Sequence, residues 1–257
     1  MTTTADLIEE ANKDVTVSPW FVTVLYGDYG SGKTSTAASM VKERGLMISS
    51  DDSWKVLLKP TNKELYAKFD NGASIKGYEG LSQLQYIDFN AGYDTVIWDT
   101  ASQSVDMFLD LLSDTAKWSG NERGKILPRV TGKRLPDELK DVETLGYVDY
   151  RVTRDKFRPV LNRLFLETNA HIIFTSQMKE PMPNAKDTKT RPAIPGATFS
   201  IMGTRADIIG YCRDESGKFV VDVTQSLSQL GKTRLESIKG KMTTTTFVNN
   251  YKEFVFL

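Results

Sequence analysis

Cysteine is nearly absent from this chain. Its single copy, Cys212, excludes an internal disulfide framework and suits a reducing compartment. Histidine is as scarce: His171 stands alone at the start of an apolar stretch, which suits a structural part better than a catalytic one. Net charge is missing too. The 33 basic and 33 acidic side chains cancel, so a polyanion such as DNA would be met by local basic segments and not by a global field. No apolar run approaches the ~20 residues that a membrane helix needs. The opening residues MTTTADLIEEANKD lack the basic and apolar regions of a secretory signal. The expectation is a cytoplasmic protein without membrane contact. Its 257 residues, 40% hydrophobic and 26% charged, are ordinary for a globular protein and suffice for one large domain or two small ones.

Apolar runs and helical spacing alternate along the chain. Strands are expected at 20–26, 45–50, 93–100 and 170–176, and at 206–213 and 218–224 around the turn DESG. Helices are expected at 33–44, 79–90, 104–118 and 150–168, the last bent near Pro159. Residues 119–148 and 178–198 are polar and rich in glycine or proline, which reads as two long loops, the first a mobile insertion. The tail, 245–257, alternates like an edge strand. This order argues for an α/β fold with a mainly parallel central sheet flanked by helices and antiparallel strands toward the C-terminus.

The most specific stretch is Gly27-Asp28-Tyr29-Gly30-Ser31-Gly32-Lys33-Thr34, followed by Ser35. It fits the P-loop pattern G-x-x-x-x-G-K-[ST], and it lies between an expected strand and an expected helix, as that motif requires. Backbone amides of such a turn surround phosphate oxygens, and the helix start adds its positive dipole end. Lys33 would reach the β- and γ-phosphates of ATP, and Thr34 would offer its hydroxyl to Mg²⁺. Asp99 ends the strand YDTVIWDT, at the sheet edge where ligands of open α/β sheets bind. There it either holds the metal's water shell opposite Thr34 or caps the next helix. Asp51 and Asp52 follow the second strand and are the candidates to activate water, with Glu79 weaker and a helix cap the alternative. Gln177 ends HIIFTSQ, where an amide could contact the γ-phosphate or its water.

With these residues the chain resembles the RecA-like ATPase core over about residues 18–240. It is most similar to phage nucleotide-binding proteins of that superfamily, some of them single-strand-annealing recombination proteins. The resemblance rests on the P-loop and on the order in which the acidic pair, VIWDT, IIFTSQMKE and PGATFSIMGTRADIIGY follow it. It implies a RecA-like ATPase domain at 18–257 after an N-terminal segment at 1–17. It also implies a ring or filament of identical subunits and a host cytoplasm for a phage-encoded chain. Asp51 or Asp52 stands where relatives usually carry a glutamate that activates water. Gln177 matches a glutamine that couples nucleotide state to a DNA-binding loop. The segments 119–148 and 178–198 occupy the places of loops that face single-stranded DNA, with Lys179, Lys186, Lys189 and Arg191 as phosphate contacts. Lys232 and Arg234, spaced Lys-x-Arg in LGKTRLES, match basic residues that reach a neighbour's γ-phosphate. A helicase loader, or another protein-assembly ATPase, and a small-molecule kinase are the rival readings.

Overall fold

The computed structural model describes residues 20–74, 84–89, 91–118, 147–181 and 189–256. Strand β1 (Val22–Gly27) is buried at every position, as a continuous apolar run in a parallel sheet covered on both faces requires. It pairs in parallel with β5 (His171–Lys179) on one side and with β7 (Ile208–Glu215) on the other. Beyond β5 lie β4 (Thr95–Asp99), β2 (Gly45–Ser49) and the edge strand β3 (Phe69–Ser74), all parallel. Beyond β7 the sheet turns antiparallel through β8 (Lys218–Asp222) and β10 (Lys241–Thr243). Two short strands dock on this frame: β6 (Arg191–Pro192) against the end of β5, and β9 (Lys232–Thr233) against the start of β7.

Alternate residues of each central strand feed opposite faces. Val24 and Tyr26 of β1, with Trp98 and Phe174, face α3 (Ala101–Trp118), α4 (Tyr147–Glu167) and α5 (Gly196–Arg205) through Val105, Phe108, Phe157, Leu161 and Met202. Leu25, Ile97 and Ile173 face α1 (Lys33–Met40) and α6 (Thr244–Val255) through Ala37, Met40, Phe247 and Tyr251. A single turn, α2 (Lys63–Tyr66), follows 3-10 turns at Ser53–Leu58 and Pro60–Asn62. The expected mainly parallel sheet with antiparallel strands toward the C-terminus is thus the one observed. The parallel strands all end at one edge, and there β1 releases the glycine-rich loop.

Three expectations need correction. The tail is not an edge strand but helix α6. Its buried residues Phe247, Val248 and Tyr251 follow helical spacing, and Thr243 caps it by accepting from the Thr246 amide. The β-branched run Thr243 to Thr246, its cap and first turn, disguised a helix start as a strand. Helix α1 stops at Met40 instead of residue 44, because the Asp94 carboxylate takes the amides of Lys42, Glu43 and Arg44 at 3.2, 2.7 and 2.7 Å. The segment 178–198 is not one long loop: β5 runs on to Lys179, β6 returns along it, and α5 begins at Gly196. Strand β3 had no sequence signal. The helix expected at 79–90 lies mostly outside the described residues, which show a 3-10 turn at Leu84–Tyr86. Pro159 sits within α4.

His171 opens β5 in an aromatic nest that includes Trp20, Phe21 and Phe256. It is buried, and its Nδ1 accepts from the Phe21 amide at 3.0 Å. Burial pulls its pKa from 6.5 down to about 4. The unfolded chain therefore takes up this proton first as pH falls, and stability contributed above pH 6.5 is lost toward pH 4. Urea unfolding should show this as a loss on the order of 3 kcal/mol between pH 7 and pH 4. His171→Asn, which keeps an acceptor for Phe21, should lack that component; an unchanged pH profile in the variant would refute the assignment.

Candidate nucleotide-binding site

Gly27 ends β1 where no side chain fits: a Cβ there would stand 2.0 Å from the Cys212 carbonyl oxygen of β7. The backbone then turns, and Gly32 enters α1 with φ 79, a left-handed conformation that glycine adopts without strain. Tyr29 to Ser35 line a cavity of about 580 Å³. Gly27 and Asp28 are not part of its wall and supply carbonyls to Lys33. Lys33 is buried and bends back over the loop, donating to Gly27 O at 3.0 Å and Asp28 O at 2.7 Å. Weaker contacts run to Ser31 Oγ at 3.4 Å and Gln177 Oε1 at 3.5 Å. Burial lowers its pKa, against which nearby Asp99, Asp28 and Asp51 act.

Asp99 ends β4 with no exposure at all. Thr34 Oγ1 lies 3.1 Å from both of its carboxylate oxygens. Thr175 Oγ1 donates to Oδ1 at 2.6 Å, and Ser53 Oγ donates to Oδ2. Burial pushes its pKa up, while the Ser53, Thr175 and Thr34 hydroxyls hold it down. One carboxylate and one threonine hydroxyl are hard oxygen donors of the kind Mg²⁺ takes; Thr34 lines the cavity, and the fully buried Asp99 is linked to it through that hydroxyl. Thr34 and Asp99 would therefore hold the ion, whose charge would help neutralise the phosphates. Among the described residues no cluster of three or more His, Cys, Asp or Glu side chains could hold a metal by itself.

The structure separates the two acidic candidates. Asp51 lines the cavity, and its Oδ1 accepts from the Ser53 amide at 3.1 Å. Asp52 has φ 59, is absent from the cavity wall, and pairs with Lys55 at 2.7 Å. Glu79 lies outside the described residues. Gln177 lines the cavity beside Lys33, and its backbone N–H donates to Ser102 Oγ at 3.0 Å. Lys232 and Arg234 stand elsewhere. Thr233 and Lys232 pair with Ile208 and Ile209, and Arg234 pairs with Asp207 at 2.9 Å. That is the opposite end of the strands from the loop, about 13 Å away by strand rise.

Sequence reading missed Ser53, Thr175 and Ser102. A signal did exist: hydroxyl residues crowd the ends of β2, β4 and β5, in ISSDDS, DTAS and FTSQ.

A central parallel strand, a glycine loop, a helix and a facing buried aspartate define a P-loop nucleoside-triphosphate-binding domain. More narrowly, the sequence model of the AAA domain family matches residues 21–235, and the chain belongs to that family. Such a domain is a P-loop ATPase domain, which binds nucleotide and usually uses Mg²⁺. No curated protein matches the sequence. No described helix is long and apolar enough to cross a membrane.

Lys33→Ala should lower ATP hydrolysis by roughly 10²-fold or more with the fold intact by circular dichroism. Near-normal turnover would refute the phosphate role. Asp51→Asn should bind ATP yet hydrolyse it slowly, whereas Asp52→Asn should stay close to wild type; the reverse ranking in single-turnover rates would reassign the water-activating group.

Proposed function

We propose that the protein is a Mg²⁺-dependent ATPase that acts on single-stranded DNA in phage recombination, annealing or repair, as a ring or filament of identical subunits. One observation carries the reading: β5 joins the phosphate site to a basic hairpin. Gln177 on this strand contacts Lys33, and two residues further Lys179 pairs with Arg191 of β6. A change at the γ-phosphate would thus be felt within two residues of cations suited to DNA phosphates. Lys189 lies beside this hairpin in sequence, while Lys186 and most of 119–148 lie outside the described residues. Thr34 and Asp99 would hold Mg²⁺, and Asp51 would activate or orient the attacking water.

The placement of Lys232 and Arg234 supports a trans role, since neither can reach its own loop from the far end of β7. In an assembly they would meet a neighbour's nucleotide and stabilise charge on the transferring phosphoryl group.

Fluorescence anisotropy of a labelled oligothymidine tests the DNA reading. Binding should tighten with ATP and Mg²⁺ and weaken with salt. Lys179→Ala with Arg191→Ala should reduce both the affinity and the salt slope. Nucleotide-independent failure to bind DNA would favour a loader or other protein-assembly ATPase, and hydrolysis that needs a small acceptor would favour a kinase. For the trans contact, Lys232→Ala with Arg234→Ala should bind ATP but hydrolyse it poorly. Mixing it with Lys33→Ala should restore part of the rate, because a contact of this kind contributes roughly 10³-fold. No recovery on mixing, with a monomer in the presence of ATP and DNA, would reject it.

A further inference from the structure

We infer that Phe219 is the stacking wall for the nucleotide's base, and that the site prefers purine to pyrimidine nucleotides while separating adenine from guanine weakly. This rests on the nucleotide reading of the P-loop. The cavity exceeds what a triphosphate fills. It continues from the loop along α1, where Ser35 and Ser39, four residues apart and so on one helix face, both line it. At about 580 Å³ it falls in the range of sites that enclose a whole small ligand, roughly 300–1,000 Å³. A nucleoside whose phosphates occupy the loop has this trough available.

Phe219 stands at its side. It belongs to β8, yet its ring lines the same cavity as Lys33 and Thr34 and remains 45% exposed. The ring rests on the loop itself: a Cβ on Gly32 would meet its Cδ1 at 3.2 Å. Its backbone is fixed from two directions. The Phe219 carbonyl accepts from Thr244 Oγ1 at 3.2 Å, at the start of α6, and Phe219 pairs with Asp214 across the β7–β8 hairpin. An aromatic face held in place beside a phosphate loop offers a base a stacking partner with little ordering cost.

Three polar side chains of the trough bear on the predicted breadth. Thr36 Oγ1 donates to Gly32 O at 2.8 Å, Ser39 Oγ to Ser35 O at 2.8 Å, and Asn62 Nδ2 to Val56 O at 2.9 Å. The two hydroxyl protons and one of the two Asn62 amide protons are spent on backbone carbonyls, which leaves these three side chains a single proton to offer to the edge of a base. Edge hydrogen bonds are what distinguish adenine from guanine; stacking scales with ring area and tolerates either.

Titration calorimetry with ATP, GTP, CTP, UTP and inorganic tripolyphosphate, each with Mg²⁺, tests this. Wild type should bind ATP and GTP within about threefold of each other, and the pyrimidine nucleotides more weakly. Phe219→Ala should weaken ATP and GTP by about five- to twenty-fold while leaving tripolyphosphate unchanged. Phe219→Trp should recover the loss. Equal weakening of ATP and tripolyphosphate in Phe219→Ala would mean that the ring acts by shaping the loop through Gly32, and would overturn the stacking role. Unchanged ATP affinity would overturn it too, with the P-loop reading intact. Strong wild-type discrimination between ATP and GTP would overturn the claim of breadth. Wild type that binds none of the five would remove the nucleotide reading and this inference together.

Discussion

The carboxylate of Asp99 holds the working edge of this molecule together. A buried ionised carboxylate is costly unless its lone pairs are filled. Here they are filled by hydroxyls from three different elements: Thr34 at the start of α1, Ser53 in the turn after β2, and Thr175 on β5. Each donor fixes its own element to the end of β4. The glycine loop, the turn that carries Asp51, and the strand that carries Gln177 are thereby held to one point. The next residue shares in this: Thr100, at φ 53, donates its amide to Thr175 Oγ1 at 2.9 Å, and Ser50 Oγ donates to the Thr100 carbonyl at 3.3 Å.

The same burial sets the charge logic. Burial drives Lys33 toward its neutral form and Asp99 toward its own, since the groups around each are mostly neutral dipoles. Lys33 is met by loop carbonyls, Asp99 by hydroxyls. Neither set matches a full opposite charge. A phosphate oxygen would meet Lys33 with a charge-assisted bond, roughly twice as strong as a neutral one. A divalent cation would meet Asp99 in the same way. On the proposed reading, the site would suit a magnesium–triphosphate pair, one ion for each buried charge.

Much of this was legible in the sequence, for a physical reason. The P-loop is local: glycines, lysine and threonine lie within eight residues, and flanking apolar periodicity places them between strand and helix. Asp99 was legible because an apolar run delivers it to a strand end. What escaped depended on residues distant in sequence. Asp94 stops α1 from some fifty positions away. Ser53 and Thr175 converge on Asp99 only once β2, β4 and β5 are aligned. Phe219 reads as a strand residue until the β7–β8 hairpin is laid beside β1. The threonine run that caps and opens α6 has high β-propensity by type, and tertiary burial of Phe247 and Tyr251 overrides it.

On the proposed reading, the link from nucleotide to DNA would depend on contacts of unequal strength. Lys33 holds Asp28 O at 2.7 Å but Gln177 Oε1 at 3.5 Å, the long limit of a hydrogen bond. A phosphate drawing on Lys33 would take the weaker contact first, so the glutamine amide is the group most easily released. Its backbone, by contrast, is rigid: Gln177 is in register with Gly27, and its carbonyl accepts from the Ala193 amide at 2.7 Å. Beyond it the pairing of β5 with β6 covers two residues on each side, and Pro192 contributes no amide proton. A loosely held sensor and a lightly paired basic hairpin thus share one firm strand. On that reading a change at the phosphate would pass to the hairpin along this strand, while Thr190, bonded to Ser228 and Leu230, would anchor its far side.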